Sequence, residues 1–420
     1  MKIQQAFRYE TLPALEQEGD LPRFAGCRRW VYNAGLDLQT KNYAAGNKNI
    51  RYESMARELS VWRGDPKTQW LSEAPYHILQ QSLKDLDRAF KNFFAKRAEY
   101  PTFKKKGVND SFRYPDPKQI KLDEGNSRIF LPKLGWVHYR NSRRVKGRVR
   151  NVTVSRSSDK WFISIQTACE VNQPVHSSST AVGVDMGVVR FTTMSDGTFI
   201  PPLSIFRRLE SDLRSAQQSM SRKKKFSGNW KKAKAKVQRI HLRVANARRD
   251  FLHKASTAIS KNHAMVVIED LQVNNMSRSA KGTVEKPGKN VRSKSGLNKS
   301  ILDQGWGELR RQLVYKLLWA GGLVVAVPPM NTSRTCLCCG KVSQDNRKTQ
   351  AVFRCVQCGF TENADLVAAV NILRAGHARI ACEVNGEVMP SAAGTILRRC
   401  AGLTPALPAG IHFLSAQAAA

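Results

Sequence analysis

Acidic residues are scarce in this chain. Its 420 residues hold 33 Asp+Glu against 69 Lys+Arg, a formal net charge of +36 at pH 7. That imbalance excludes the surface of an ordinary metabolic enzyme and points to a polyanionic partner, of which nucleic acid is the usual one. A merely supercharged soluble surface is the bland alternative, and clustering of the charge argues against it. Long apolar runs are also missing. The longest, Leu317 to Met330, spans 14 residues and contains Pro328-Pro329, short of the roughly 20 that a membrane helix needs. The start, MKIQQAFRYE, has no apolar region of a secretory signal. Nine cysteines are too few for a disulfide scaffold in a chain this long. These absences lead us to expect a cytoplasmic protein with no membrane partner.

What is present can build cores, since 41% of residues are hydrophobic, and the length suits several domains. Residues 1–12 read as a strand and 21–60 as helical. Leu79, Leu83, Leu86, Phe90 and Phe93 form a stripe at steps of three and four, predicting a helix over 76–99 that ends before Pro101. Residues 102–170 alternate apolar and polar between turn residues and predict a small antiparallel β-domain with interleaved basic residues; a β-barrel with a basic rim is a common nucleic-acid platform. Residues 171–180 read as a linker. Beyond it, AVGVDMG, AMVVIEDL and GLVVAVP are buried-strand patterns separated by helical stretches, the alternation of an α/β sheet. VRFTTMSDGTFI follows the first as a hairpin turning at Asp196-Gly197. Residues 277–299 are Ser-, Gly- and Lys-rich and read as a mobile loop. A last helix is expected from about Asn363 to Arg374, and a poorly ordered tail over 377–420.

Basic residues cluster in three places: Lys104, Lys105 and Lys106; Arg143, Arg144, Lys146 and Arg148; and Arg222, Lys223, Lys224, Lys225, Lys231 and Lys232. Between 220 and 249 there are 12 Lys/Arg and no Asp/Glu. A helix so charged repels itself unless a polyanion neutralises it. These residues are candidate nucleic-acid contacts, although a charge run is often only a solvated face.

Cys336 and Cys339, then Cys355 and Cys358, form two CxxC pairs 15 residues apart, each followed by glycine (Gly340, Gly359). Four thiolates select tetrahedral Zn²⁺ and leave no open position, so the site is structural. An iron–sulfur cluster is the minor alternative. Cys338 lies inside the first pair and has no assigned role.

Three acids stand in unusual surroundings. Asp185 interrupts an apolar strand, Glu269 ends another, and Asp365 opens the last helix. A buried carboxylate is costly unless paired or metal-bound. Three converging carboxylates would hold hard cations such as Mg²⁺ for phosphodiester cleavage. Each acid also has a plain reading. Asp365 would be a helix N-terminal charge, and Glu269 with Asp270 a polar strand end.

The motifs GVDMGVVRFTTMSDG, VVIEDLQVNNMS, DQGWGELRRQL, NTSRTCLCCG and FRCVQCGFTENAD, in that order, resemble those of the TnpB (OrfB) proteins of bacterial insertion sequences. AFRYE, FAGCRRWVYN and YPTFKKKGVNDSFRYP extend the resemblance over roughly residues 1–375. TnpB proteins are RNA-guided DNA endonucleases related to type V CRISPR effectors. The resemblance implies a multidomain α+β and α/β fold. A wedge-like β-barrel (1–12 and 101–175) would carry a helical recognition insert (13–100). A RuvC-like nuclease of RNase H fold (181–330 and 360–376) would enclose a zinc ribbon (331–359).

The resemblance further implies catalysis by Asp185, Glu269 and Asp365 with catalytic Mg²⁺, and structural Zn²⁺ on Cys336, Cys339, Cys355 and Cys358. The partners would be a guide RNA from the transposon end and double-stranded target DNA. One position departs from the family's Asp-x-Asn-Ala-Ala: Val367 stands where the family has Asn, a change expected to bear on cleavage rate. The rival readings are a guide-dependent DNA-binding repressor without cleavage, a conventional transposase, and an RNA-packaging protein, which would leave the acids unexplained.

Overall fold

The computed structural model describes residues 1–384. The described residues divide into two compact units: Met1–Asn172 with Ser219–Leu242, and Gln173–Gln218 with 243–384.

The first unit opens with strand β1 (Lys2–Leu12), then helices α1 (Leu15–Ala44), α2 (Tyr52–Gly64) and α3 (Tyr76–Phe94). Strands β2 (Ser111–Tyr114), β3 (Lys121–Asp123), β4 (Arg128–Leu131), β5 (Gly135–Tyr139), β6 (Arg148–Ser157) and β7 (Lys160–Glu170) follow. The α3 stripe buries Leu79, Leu83, Leu86 and Phe90; each leucine contributes about 1.5–3 kcal/mol by leaving water. α1 meets this stripe at Gly35, where a Cβ would stand 2.9 Å from Leu86 Cδ2. α3 stops at Phe94 rather than near 99. Lys96 turns left-handed (φ 56°) and donates its N–H to the Phe93 carbonyl at 2.9 Å, closing the helix there.

Alternation along β1, β6 and β7 sends Phe7, Tyr9, Val152, Val154, Ile163 and Ile165 into one core with the helices. The sheet is not the closed barrel expected. Its strand order is β2-β6-β7-β1-β5-β4-β3, so β2 and β3 are edges that do not pair with each other. Helices take the place of that pairing. Phe24 of α1 meets Phe112 of β2 edge-on at 5.9 Å, and Arg28 donates to the Ser111 carbonyl at 3.2 Å. A covered edge needs no strand neighbour.

The second unit starts with β8 (Ala181–Asp185), β9 (Thr192–Met194) and β10 (Phe199–Ile200). Helices α4 (Ile205–Ser221) and α5 (Gly228–Asn262) follow, of which Ser219–Leu242 belongs to the first unit, then β11 (Met265–Glu269), α6 (Val273–Met276), α7 (Val291–Gln304), α8 (Trp306–Ala320) and β12 (Leu323–Val327). A hairpin of β13 (Val352–Arg354) and β14 (Thr361–Asn363) leads into α9 (Ala364–Val384). The five-stranded sheet has the order β10-β9-β8-β11-β12, with β11 parallel to both β8 and β12 and β9 antiparallel to β8. Its hairpin turns at Gly197 (φ 88°), as read from Asp196-Gly197.

Two expectations are corrected here. The segment expected to be a mobile loop over 277–299 enters α7 at Val291. Side chains hold it in place: Lys294 Nζ donates to the Met276 carbonyl at 2.6 Å and Asn298 Nδ2 to that of Ser277 at 3.0 Å. Tertiary bonds of this kind override a poor local composition. The tail expected from 377 starts inside α9, which continues to Val384. The remainder, residues 385–420, lies outside the described residues. No helix of the described residues is long and apolar enough to cross a membrane.

Candidate functional site

The parallel pairing of β8 with β11 decides where two of the acids go. Val184 is opposite Ile268, so Asp185 and Glu269 both stand at the C-terminal end of neighbouring strands. Apolar neighbours flank them: Val182, Val184, Val266 and Ile268 are fully buried. The third acid arrives on α9, which packs across β8, β11 and β12. Asn363 starts that helix, its Oδ1 accepting the N–H groups of Asp365 and Leu366 at 3.1 and 3.3 Å. An Asn cap of this kind fixes the first turn and with it Asp365.

The three acids act on one another electrostatically. Burial first, and then the charges of Glu269 and Asp365, raise the Asp185 carboxyl to about 7, with Arg347 acting against them. Glu269 is also raised by burial, opposed by its hydrogen bond from Thr332 and by Arg347. Thr332 Oγ1 donates to Glu269 Oε1 at 2.6 Å inside the protein. Arg347 Nη2 donates to Asp365 Oδ1 at 3.2 Å. The carboxylates are spaced more widely than thiolates on a single ion: among the described residues, the four cysteines are the set whose ligand atoms all lie within 4.8 Å. Asp270, next to Glu269, has a separate role as the ion-pair partner of Arg310.

Arg347, Thr332 and Asn371 are the site residues that sequence reasoning passed over. Asn371 Nδ2 donates to the carbonyls of Thr332 and Thr335, both at 2.8 Å, and so holds the loop that presents Thr332. The signal for Thr332 was within reach, since it lies in NTSRTCLCCG. Arg347 sits in a charged loop with no period and offered none.

The four cysteines meet as their spacing predicted. Cys336 and Cys358 Sγ are 3.7 Å apart, and Cys339 and Cys355 Sγ 3.5 Å. A tetrahedral ion with bonds of about 2.3 Å separates its sulfurs by about 3.8 Å, so the cage has the right size. Gly340 and Gly359, both at φ 73°, close the two knuckle turns, a conformation glycine adopts without strain. The N–H of Cys358 points at Cys355 Sγ at 3.5 Å, and this amide holds the Cys355 thiol down at about 6, ready as a thiolate ligand. Cys338 is exposed, outside the cage. Val367 is fully buried in the module's own core with Cys336, Phe353, Cys355 and Ala364. The departure at this position is therefore a packing choice beneath the cysteines.

The candidate nucleic-acid contacts, Lys104, Lys105, Lys106, Arg143, Arg144, Lys146, Arg148, Arg222, Lys223, Lys224, Lys225, Lys231 and Lys232, are all exposed. Two are partly engaged. Lys104 Nζ lies 4.2 Å over the Tyr32 ring and the Arg143 guanidinium 5.3 Å over Phe7.

Comparison with known proteins gives three matched segments. The OrfB_IS605 family model, a probable transposase, matches residues 164–280, and a Cas12f1-like TNB domain matches 306–372. A helix-turn-helix domain matches 1–48, which here form β1 and the 30-residue α1. Among relatives, "Putative RNA-guided DNA endonuclease InsQ" of Escherichia coli (strain K12) is 57% identical over 391 residues, 93% of this chain and 96% of the relative. A protein of Streptomyces pristinaespiralis with the same description, without the InsQ name, is 34% identical over 388 residues, 91% of each. A Cas12f1 chain solved by cryo-EM with sgRNA and target DNA aligns over 88% of this chain and 98% of its own. Its TM-score is 0.48 at 12% identity.

Proposed function

The chain belongs to the OrfB (TnpB) family of insertion-sequence proteins, and from that premise we propose that it is an RNA-guided, metal-dependent DNA endonuclease. The observation that carries the proposal is the gathering of Asp185, Glu269 and Asp365 at one end of the five-stranded sheet, where burial and mutual repulsion hold Asp185 near 7. Strand order 3-2-1-4-5, three antiparallel strands then two parallel ones, supports a RuvC-like reading of the RNase H fold for 181–330 and 360–376. Residues 331–359 are then the zinc ribbon, 1–12 with 101–175 the wedge, and 13–100 the recognition insert.

The donor set fits the ions. A buried Glu269 with half-buried Asp185 and Asp365 is an oxygen donor set that suits hard divalent cations, and the thiolate cage suits structural Zn²⁺. Bound Mg²⁺ would activate a water and stabilise the leaving oxygen of the phosphodiester. The protein's own residues do the rest. Asp185 and Glu269 hold the cations from the sheet and Asp365 from the helix. Thr332 keeps Glu269 oriented and charged. Arg347, bonded to Asp365, is a cation of the site available to a scissile phosphate. The exposed Lys and Arg clusters take the guide RNA and the target DNA by their phosphates.

The test is reconstitution of the full chain with the RNA that copurifies with it, followed by cleavage of target DNA in Mg²⁺. Asp185→Ala is expected to abolish cutting and spare RNA binding. Cutting at the wild-type rate would remove the active-site assignment. Guided binding without cutting by the wild type would favour the repressor, and end-joining without RNA the conventional transposase.

A further inference from the structure

The turn between α4 and α5 presents an aromatic residue where burial gives it nothing. Phe226 is 75% exposed. Its backbone is left-handed, at φ 68°, a region aromatic residues rarely enter. The turn is nevertheless well built. Ser227 caps α5, its Oγ accepting the Trp230 N–H at 3.2 Å, and its own N–H donates to the Lys224 carbonyl at 3.2 Å. That geometry sets the Phe226 ring against Trp230 at 5.5 Å, tilted by 56°, with Lys234 Nζ 5.2 Å from the Trp230 ring. The result is a two-ring ledge at the tip of a helical hairpin. Around it Arg222, Lys223, Lys224, Lys225, Lys231 and Lys232 are exposed, and no acid lies between Met220 and Arg249.

We infer that this ledge is a stacking site for an unpaired nucleobase of the guide RNA, with the flanking lysines on its phosphates. The inference rests on the RNA-guided reading above. The charge calls for a polyanion, and an exposed aromatic ring among cations is the surface on which single-stranded bases stack. The guide is the strand chosen over the target because this hairpin repels itself whenever it is not neutralised. In an RNA-guided enzyme the guide is the resident polyanion, whereas target DNA comes and goes.

Ultraviolet crosslinking of the full chain with its copurified RNA, followed by ribonuclease and trypsin digestion, tests this. Trypsin releases Phe226–Lys231 as one peptide, FSGNWK, which holds both rings. A nucleotide adduct on that peptide is the expected result. Phe226→Ala should release the RNA about tenfold faster, within the range of one lost base stack, with an unchanged salt dependence, and Phe226→Tyr should restore the rate. RNA adducts on other peptides but none on this one would overturn the stacking site and leave the guided reading standing. An adduct seen only with added target DNA would overturn the assignment to RNA. Absence of any copurified RNA would remove the guided reading, and this site with it.

Discussion

Gly183 of β8 lies against Ala369 of α9 so closely that a Cβ on the glycine would stand 2.1 Å from the Ala369 carbonyl oxygen and 2.7 Å from the Leu373 nitrogen. Helix backbone rests on strand backbone at this point, two residues before Asp185 and four after Asp365. Gly183→Ala must therefore lift the helix that carries the third acid. We expect a loss of about 2–4 kcal/mol, at the severe end for overpacking, and a fall in cleavage out of proportion to it. Gly296→Ala in α7, where a Cβ meets nothing within 4 Å, should be neutral or slightly stabilising. Urea midpoints of the two variants, compared with their cleavage rates, check this.

The raised Asp185 carboxyl makes the protein's stability fall with pH when no divalent cation is bound there. Its folded value of about 7 lies above its ordinary 3.8. The folded state thus binds more protons than the unfolded one between those values, and stability is lost as pH rises through about 7. Asp185→Asn should abolish this slope and be more stable above pH 7, by about 2–4 kcal/mol as an upper range. Urea denaturation in Mg²⁺-free buffer from pH 5 to 8 measures it, and identical slopes for the two proteins would contradict the burial of that charge.

Thr332→Val removes the hydroxyl that donates to Glu269. The carboxylate then loses a bond favouring its charged form, and its titration moves up. Because cation binding needs the deprotonated acid, the acid limb of the cleavage pH profile should shift to higher pH, with RNA affinity unchanged. A profile that drops in height without shifting would assign Thr332 to packing alone.

Cys355→Ser should cost the protein the zinc proposed for the cysteine cluster, and its cutting, since Cys355 belongs both to that cluster and to the module's core. Cys338→Ser should change neither, the side chain being exposed beside the cage. Zinc content of the purified proteins distinguishes the two.

Lys231→Ala with Lys232→Ala should weaken guide RNA binding without regard to its sequence. The slope of log affinity against log salt should fall by about one to two. A change confined to one sequence would place these side chains on bases instead.

Much of the site could be read from the chain because its chemistry is conspicuous against its surroundings. A lone Asp185 in GVDMG and a terminal Glu269 in MVVIE are visible as charges in apolar strands, and two CxxC pairs fix a cage by spacing alone. Barrel closure was not legible. Alternation decides which side chains face inward, whereas closure depends on whether β2 and β3 find each other, and Phe24 and Arg28 of α1 had already covered β2. α7 was hidden for a related reason, its order coming from Lys294 and Asn298 bonding to distant carbonyls. Arg347 was hidden because one arginine among 69 Lys+Arg has no mark until Asp365 is found beside it.

One helix serves two masters here. The opening turn of α9 offers Asp365 to the acid cluster, Val367 plugs the floor of the thiolate cage, and Arg374 reaches the Leu337 carbonyl at 3.1 Å. A disturbance in the sulfur cage would thereby reach Asp365 through the opening turn of the same helix. An ion that takes no part in the reaction would in this way govern whether the blade is set.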